Sequence, residues 1–133
     1  MTEFKWNMRA GNERFLKLDE FTRGYIEGAL FASGEEIGNV SLDDLAEVTW
    51  KEAFQQCKTF QIVNAAVLAE AYLSPAYNER TAGHDLWLTR NGHGAGYWDR
   101  GLNGAGDDLT LAAELLGTCE LYRGDDDKLY FGG

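Results

Sequence analysis

Between Gly83 and Gly101 the chain reads GHDLWLTRNGHGAGYWDRG, which gathers both histidines and two of the four tryptophans. An imidazole beside a carboxylate is the minimal equipment of acid–base catalysis, because histidine changes charge near neutral pH. His84 precedes Asp85, and His93 lies six residues before Asp99, so His84, Asp85 and His93 are the catalytic alternative. No clear nucleophile accompanies them, since Ser33, Ser41 and Ser74 lack the Gly-x-Ser-x-Gly elbow. Two histidines with scattered acids fall short of a metal signature, so neither a metal nor a cofactor is expected. Gly92, Gly94 and Gly96 beside Arg90 and Asn91 would offer backbone amides and a cation to phosphate, but neither a Walker A loop nor a dinucleotide fingerprint is present. A binding role uses the same stretch differently. Tryptophan and arginine are the commonest anchors of protein interfaces, which singles out Trp87, Arg90, Asn91, His93, Trp98 and Arg100.

These groups need an element to hold them. Asn91-Gly92 favours the turn of a β-hairpin, and the flanking residues alternate, so the stretch is expected to form two antiparallel strands. Leu86, Leu88, Ala95 and Tyr97 then share one face with Arg90, His93 and Asp99. Trp87 and Trp98 share the other with Asp85, Thr89 and Arg100. A four-residue loop would set Asp85 opposite Arg100 as an ion pair and Trp87 opposite Trp98. The tryptophan face is either covered by the N-terminal half or exposed as a contact surface.

The rest of the chain supplies the support. Residues 1–18 form an N-terminal extension, with Phe4, Trp6 and Met8 alternating as a short strand and Gly11-Asn12 interrupting it. Residues 19–75 are mainly helical. Asp19 caps a helix over 19–32, whose stripe is Phe21, Tyr25, Ile26, Leu30 and Phe31, while Gly24 and Gly28 weaken it or admit a close neighbour. A loop over 33–39 follows. Ser41 starts a second helical run carrying Leu42, Leu45, Val48, Phe54, Cys57, Phe60, Ile62, Val63 and Leu73, with a break expected near Val48 to Trp50 and an end at Ser74-Pro75. Cys57 sits on the apolar stripe as a small buried hydrophobe. Residues 76–83 form a connector. After the hairpin a helix capped by Asp107 or Asp108 runs to Gly117, and strands 118–123 and 128–131 flank Gly124 to Asp127. Residues 84–131 therefore read ββαββ, and the 133 residues form one α+β domain with N-terminal helices packed on an antiparallel sheet.

Twenty-two acids against twelve Lys and Arg leave a net charge of −10. The acids cluster at Glu35, Glu36, Asp43 and Asp44, then at Asp107, Asp108, Asp125, Asp126 and Asp127. Such a surface repels phosphate backbones, which disfavours general nucleic-acid binding and permits a basic protein partner. No apolar run approaches the roughly 20 residues that span a bilayer, and no stretch resembles a secretion signal. Cys57 and Cys119 lack CxxC spacing, in keeping with reduced thiols in a cytoplasmic setting.

The motif GHDxWLTRNGHGxGxWDRG resembles a family of small, acidic, functionally uncharacterised proteins of bacteriophages, prophages and plasmids. The likeness continues through Leu109-Thr110 to Leu121-Tyr122-Arg123-Gly124-Asp125-Asp126 and Tyr130, and more faintly to Phe21, Gly24, Tyr25 and Ile26. Tyr97 stands where that family's phenylalanine is expected. The resemblance transfers no catalytic residue. It implies the host bacterial cytosol as a setting, and an accessory protein that binds and modulates a host macromolecule, as anti-restriction and anti-CRISPR inhibitors do. The alternatives are a small enzyme or phosphate-binding protein using the His/Arg/Asn stretch, and a structural domain that self-associates through Trp87 and Trp98.

Overall fold

The computed structural model describes residues 11–132. The strand expected on Phe4, Trp6 and Met8 lies outside the described residues. Residues 11–16 are helical, so Gly11-Asn12 interrupts nothing there.

Helix α1 spans Glu20–Ile37, and the cap read from the sequence is in place: the Asp19 carboxylate accepts from Thr22 N at 3.3 Å. Phe21, Tyr25, Ile26 and Ala29 turn inward and are buried. The helix runs through the loop expected at 33–39 and stops at Gly38, whose φ of 82° only glycine adopts without strain. Ser41 opens merely a 3₁₀ turn, Leu42–Asp44. Leu45 and Ala46 are then pulled into extended backbone, Ala46 N donating to Leu129 O at 3.1 Å. That tertiary bond moves the expected break ahead of Val48. Helix α2 follows as Glu47–Val63, and Asn64 separates it from α3, Ala65–Ala71. Cys57 is buried as expected.

The hairpin expected at 84–100 does not form. Asn78 accepts from Thr81 N at 3.0 Å and starts helix α4, Glu79–Arg90, so the expected connector at 76–83 is partly helix. Asn91-Gly92 ends this helix instead of turning a hairpin. Gly92 has φ 68°, its N–H donates to Thr89 O, and His93 N donates to Leu88 O at 3.0 Å, which together make a Schellman cap. Asn91 has φ −99°, whereas a type I′ turn needs a positive value at both central residues. The alternation misled because α4 is buried on most sides: Ala82, Gly83, Asp85, Leu86, Trp87, Thr89 and Arg90 all lie inside. Polar Asp85, Thr89 and Arg90 are buried while Leu88 stays partly exposed, so the apolar residues trace no clean 3.6-residue stripe. Residues Tyr97–Asp99 form a 3₁₀ turn, not a second strand.

Helix α5 (Gly104–Leu115) begins ahead of Asp107, and its last carbonyls are followed by Gly117 at φ 77°. Strands β1 (Glu120–Arg123) and β2 (Leu129–Gly132) pair antiparallel around the acidic turn, as expected. The described chain is thus mostly helical with a small two-stranded sheet, an α+β arrangement in which α4 and the Tyr97–Asp99 turn replace the first two strands of the expected ββαββ. Helices α1 and α4 cross most closely. A Cβ on Gly24 would lie 1.9 Å from Arg80 O, and one on Gly83 1.8 Å from Phe21 O, so this crossing requires glycine on both helices. No described helix is long and apolar enough to cross a membrane.

Candidate functional site

The residues singled out in the sequence divide into three groups once α4 is a helix. The first is buried and polar. Asp85 is 0% exposed, and its carboxylate accepts from Arg100 Nε at 3.0 Å, Arg100 Nη2 at 2.7 Å and the Tyr77 hydroxyl at 2.8 Å. The Asp85–Arg100 pair expected across a hairpin therefore exists, but it ties the loop after α4 to the helix itself. Burial, reinforced by the Asp85 carboxylate, pushes the Tyr77 phenol well above its usual range, so it stays a donor. Tyr97 completes the clamp: its N–H donates to Thr89 Oγ1 at 3.1 Å and its hydroxyl to Ala82 O at 2.7 Å.

Arg90 forms the second group. It is 8% exposed and has no carboxylate partner among the described residues; its guanidinium donates to Gly117 O at 2.8 Å, Leu116 O at 3.1 Å, Tyr25 Oη at 3.0 Å and Gln56 Oε1 at 3.2 Å. Two of these acceptors are the unpaired carbonyls after α5, where the helix dipole favours a cation. Arg90 is therefore a structural cap, not an exposed anchor. Burial raises the Tyr25 phenol despite Arg90 beside it, keeping that hydroxyl protonated. Asn91 is likewise occupied, with Nδ2 donating to Trp87 O at 3.0 Å and Oδ1 accepting from Cys119 N at 2.7 Å.

The tryptophans part company. Trp87 is 2% exposed and packs against Tyr25 and Phe131, whereas Trp98 is 54% exposed, so the aromatic pair of the expected hairpin is absent. The indole N–H of Trp87 is buried without an acceptor among the described residues. Trp87 lines a cleft of about 240 Å³ with Ser33, Glu36, Asn91, His93 and Glu120. His93 belongs to this cleft, but His84 faces α1 at Gly28 and Asp85 is held by Arg100 and Tyr77. The three members of the catalytic alternative thus meet different neighbours. Among the described residues no group of three or more His, Cys, Asp or Glu is placed to hold a metal.

The acidic residues are spread over several elements, and Arg123 links two of them, standing 3.9 Å from the Asp44 carboxylate and donating to Asp127 O at 2.8 Å. Glu35 and Glu36 sit at the end of α1, and Asp107 and Asp108 are exposed at the start of α5. Asp44 closes the turn at Ser41 N (3.0 Å), and Asp43 accepts from Gly11 N. Asp125, Asp126 and Asp127 form the β1–β2 turn, where Asp126 accepts from the Tyr130 hydroxyl at 2.6 Å. That bond, with Lys128 N, holds the Asp126 carboxyl below its usual range.

The most ligand-like feature was not singled out in the sequence. A groove of about 450 Å³ runs between α2 and α5, lined by Phe60 and Val63 on one side and Ala112, Leu115 and Leu116 on the other, with Gln56 and Asn64 toward its ends. Val63 is 74% and Leu115 79% exposed. Ile62 and Val63, read as part of a buried stripe, are on the surface, as are Phe31 and Leu73. The available signal was the width of the apolar run: Leu109, Leu111, Leu115 and Leu116 cover more of a helix than one neighbour can bury. Glu52 and Asp108, both exposed and outside the groove's lining, stand one helical turn before Gln56 and Ala112 on their helices.

The chain matches no protein-family model, no curated protein and no solved structure.

Proposed function

We propose that the protein is a binding module that captures a basic, amphipathic helical segment of a partner protein in the groove between α2 and α5. The observation that carries this reading is an apolar cleft framed by exposed Val63, Leu115 and Leu116 on a chain of net charge −10. Contiguous exposed apolar surface rimmed by charge is the signature of a contact site, and a helix laid in a groove is the matching mode. Glu52 and Asp108 select a partner with Lys or Arg flanking its apolar face. A second copy of this chain would bring another −10 to the contact, so a basic partner is the better complement.

The resemblance of the Gly83–Gly101 stretch to phage, prophage and plasmid proteins supports a host protein as that partner. Binding fits better than catalysis, because Asp85, Arg90 and Asn91 spend their hydrogen bonds on the fold. Of the six anchors read from the stretch, His93, Trp98 and Arg100 are exposed, and Arg100 is committed to Asp85, which leaves His93 and Trp98 for contact.

The test is titration of a fluorescein-labelled helical peptide with leucines at heptad spacing and lysines beside them, followed by anisotropy. Saturable binding that weakens with salt is expected. Val63→Asp or Leu115→Asp should weaken it at least about tenfold, corresponding to about 1.4 kcal/mol. Both positions are exposed, so folding should be unchanged. Equal binding by the Asp variants, or no saturation at millimolar protein, would overturn the reading.

A further inference from the structure

Besides the helical groove, we propose a second site: the cleft at Trp87 takes a short extended peptide carrying a lysine or arginine, which adds to β1 as a third strand. Pairing parity leaves one edge of β1 open. Gly124 N donates to Lys128 O at 2.7 Å, and the register continues through Tyr122 with Tyr130 and Glu120 with Gly132. In an antiparallel pair the hydrogen-bonded positions alternate, so the backbone groups of Cys119, Leu121 and Arg123 point away from β2.

The two edges of this ribbon differ. On the β2 side the edge is closed at Leu129, whose O accepts from Ala46 N at 3.1 Å and from Thr49 Oγ1 at 2.6 Å. On the β1 side Cys119 N is met by the Asn91 side chain, an amide placed where a neighbouring strand would begin. Arg123 stops the other end, its guanidinium donating to Asn39 O and Asp127 O. Between these stops, the outward N–H and C=O of Leu121 have no partner among the described residues. Leu121 lines the cleft together with Trp87, whose buried indole N–H also lacks an acceptor there.

Two independent features therefore ask for the same ligand. A peptide backbone supplies both a carbonyl and an N–H to an open strand edge, and adding a strand is an established mode of recognition. A volume of about 240 Å³ lies below the roughly 300 Å³ at which cofactor-sized pockets begin, and suits a few extended residues. Charge selects the side chain: Glu36 and Glu120 are exposed on opposite walls, so a cation between them is favoured and a carboxylate repelled.

The probe is acetyl-Val-Lys-Val-amide, titrated into the full-length ¹⁵N-labelled protein. The Trp87 indole N–H, assigned by its loss in Trp87→Phe, and the Leu121 amide are expected to shift together and saturate. Two control peptides dissect the contact: one N-methylated on its backbone, which removes strand pairing, and acetyl-Val-Glu-Val-amide, which reverses the charge. Both should bind at least about fivefold more weakly, as should the lysine peptide with Glu36→Gln/Glu120→Gln protein. Leu115→Asp, which removes the helical groove, should leave this binding unchanged and so separates the two sites. Equal binding by the N-methylated peptide, shifts confined to α2 and α5, or no shift at millimolar peptide would overturn the proposal.

Discussion

Replacing Gly83 by alanine inserts a single methyl where α1 and α4 cross, 1.8 Å from Phe21 O. The obstacle is helix backbone, which cannot rotate aside as a side chain would. An ordinary carbon–oxygen contact is about 3.3–3.6 Å, so the helices must part by roughly 1.5 Å. A gap of even 0.5–1 Å already forfeits about a quarter to a half of the dispersion attraction across it. The contacts at stake are those of Phe21, Tyr25, Leu86 and Trp87, among the most deeply buried side chains in the protein. We expect overpacking and lost contact to cost about 3–5 kcal/mol, above the common range because backbone must move. Alanine's better helix propensity returns about 1 kcal/mol, leaving a net loss of about 2–4 kcal/mol and a fall in Tm of roughly 10 °C. Gly34→Ala in the same α1 is the control: nothing lies within 4 Å of its new Cβ, so it should gain about 0.5–1 kcal/mol. Urea denaturation followed by circular dichroism measures both. If Gly83→Ala matches or exceeds the wild type while Gly34→Ala behaves as expected, the close crossing is not what holds α1 on α4.

Arg90→Lys should cost about 2 kcal/mol by the same measurement, because one ammonium cannot reach four acceptors spread over Tyr25, Gln56, Leu116 and Gly117. Burial alone would raise the Asp19 carboxyl, but hydrogen bonds from Thr22 and Gln61 outweigh it and hold the group below its usual 3.8. Its contribution is therefore present above that value and is lost as pH falls through the lower folded value. Asp19→Asn should be less stable than the wild type by about 0.5–1 kcal/mol at neutral pH. That difference should shrink as urea midpoints are taken below about pH 4; one that stays constant into acid would show that the ionised carboxylate is not the stabilising form.

Local chemistry by itself determined the elements whose signals are self-contained. Asp19 capped the helix that the spacing of Phe21, Tyr25 and Ile26 required, Gly24 and Gly28 admitted a neighbour, and the acidic turn closed β1 on β2. Asp85 and Arg100 also proved to be partners, although the element expected to join them was wrong. Tertiary structure decided the rest. In α4 the polar Asp85, Thr89 and Arg90 are buried and Leu88 is partly exposed, so the helix carried an alternating pattern that one sequence cannot distinguish from a strand. Asn-Gly supplied the same left-handed glycine to a helix cap that it would have supplied to a hairpin. The groove likewise depends on which faces of α2 and α5 their neighbours leave uncovered, and burial there is a property of the packed chain, not of any one residue's type.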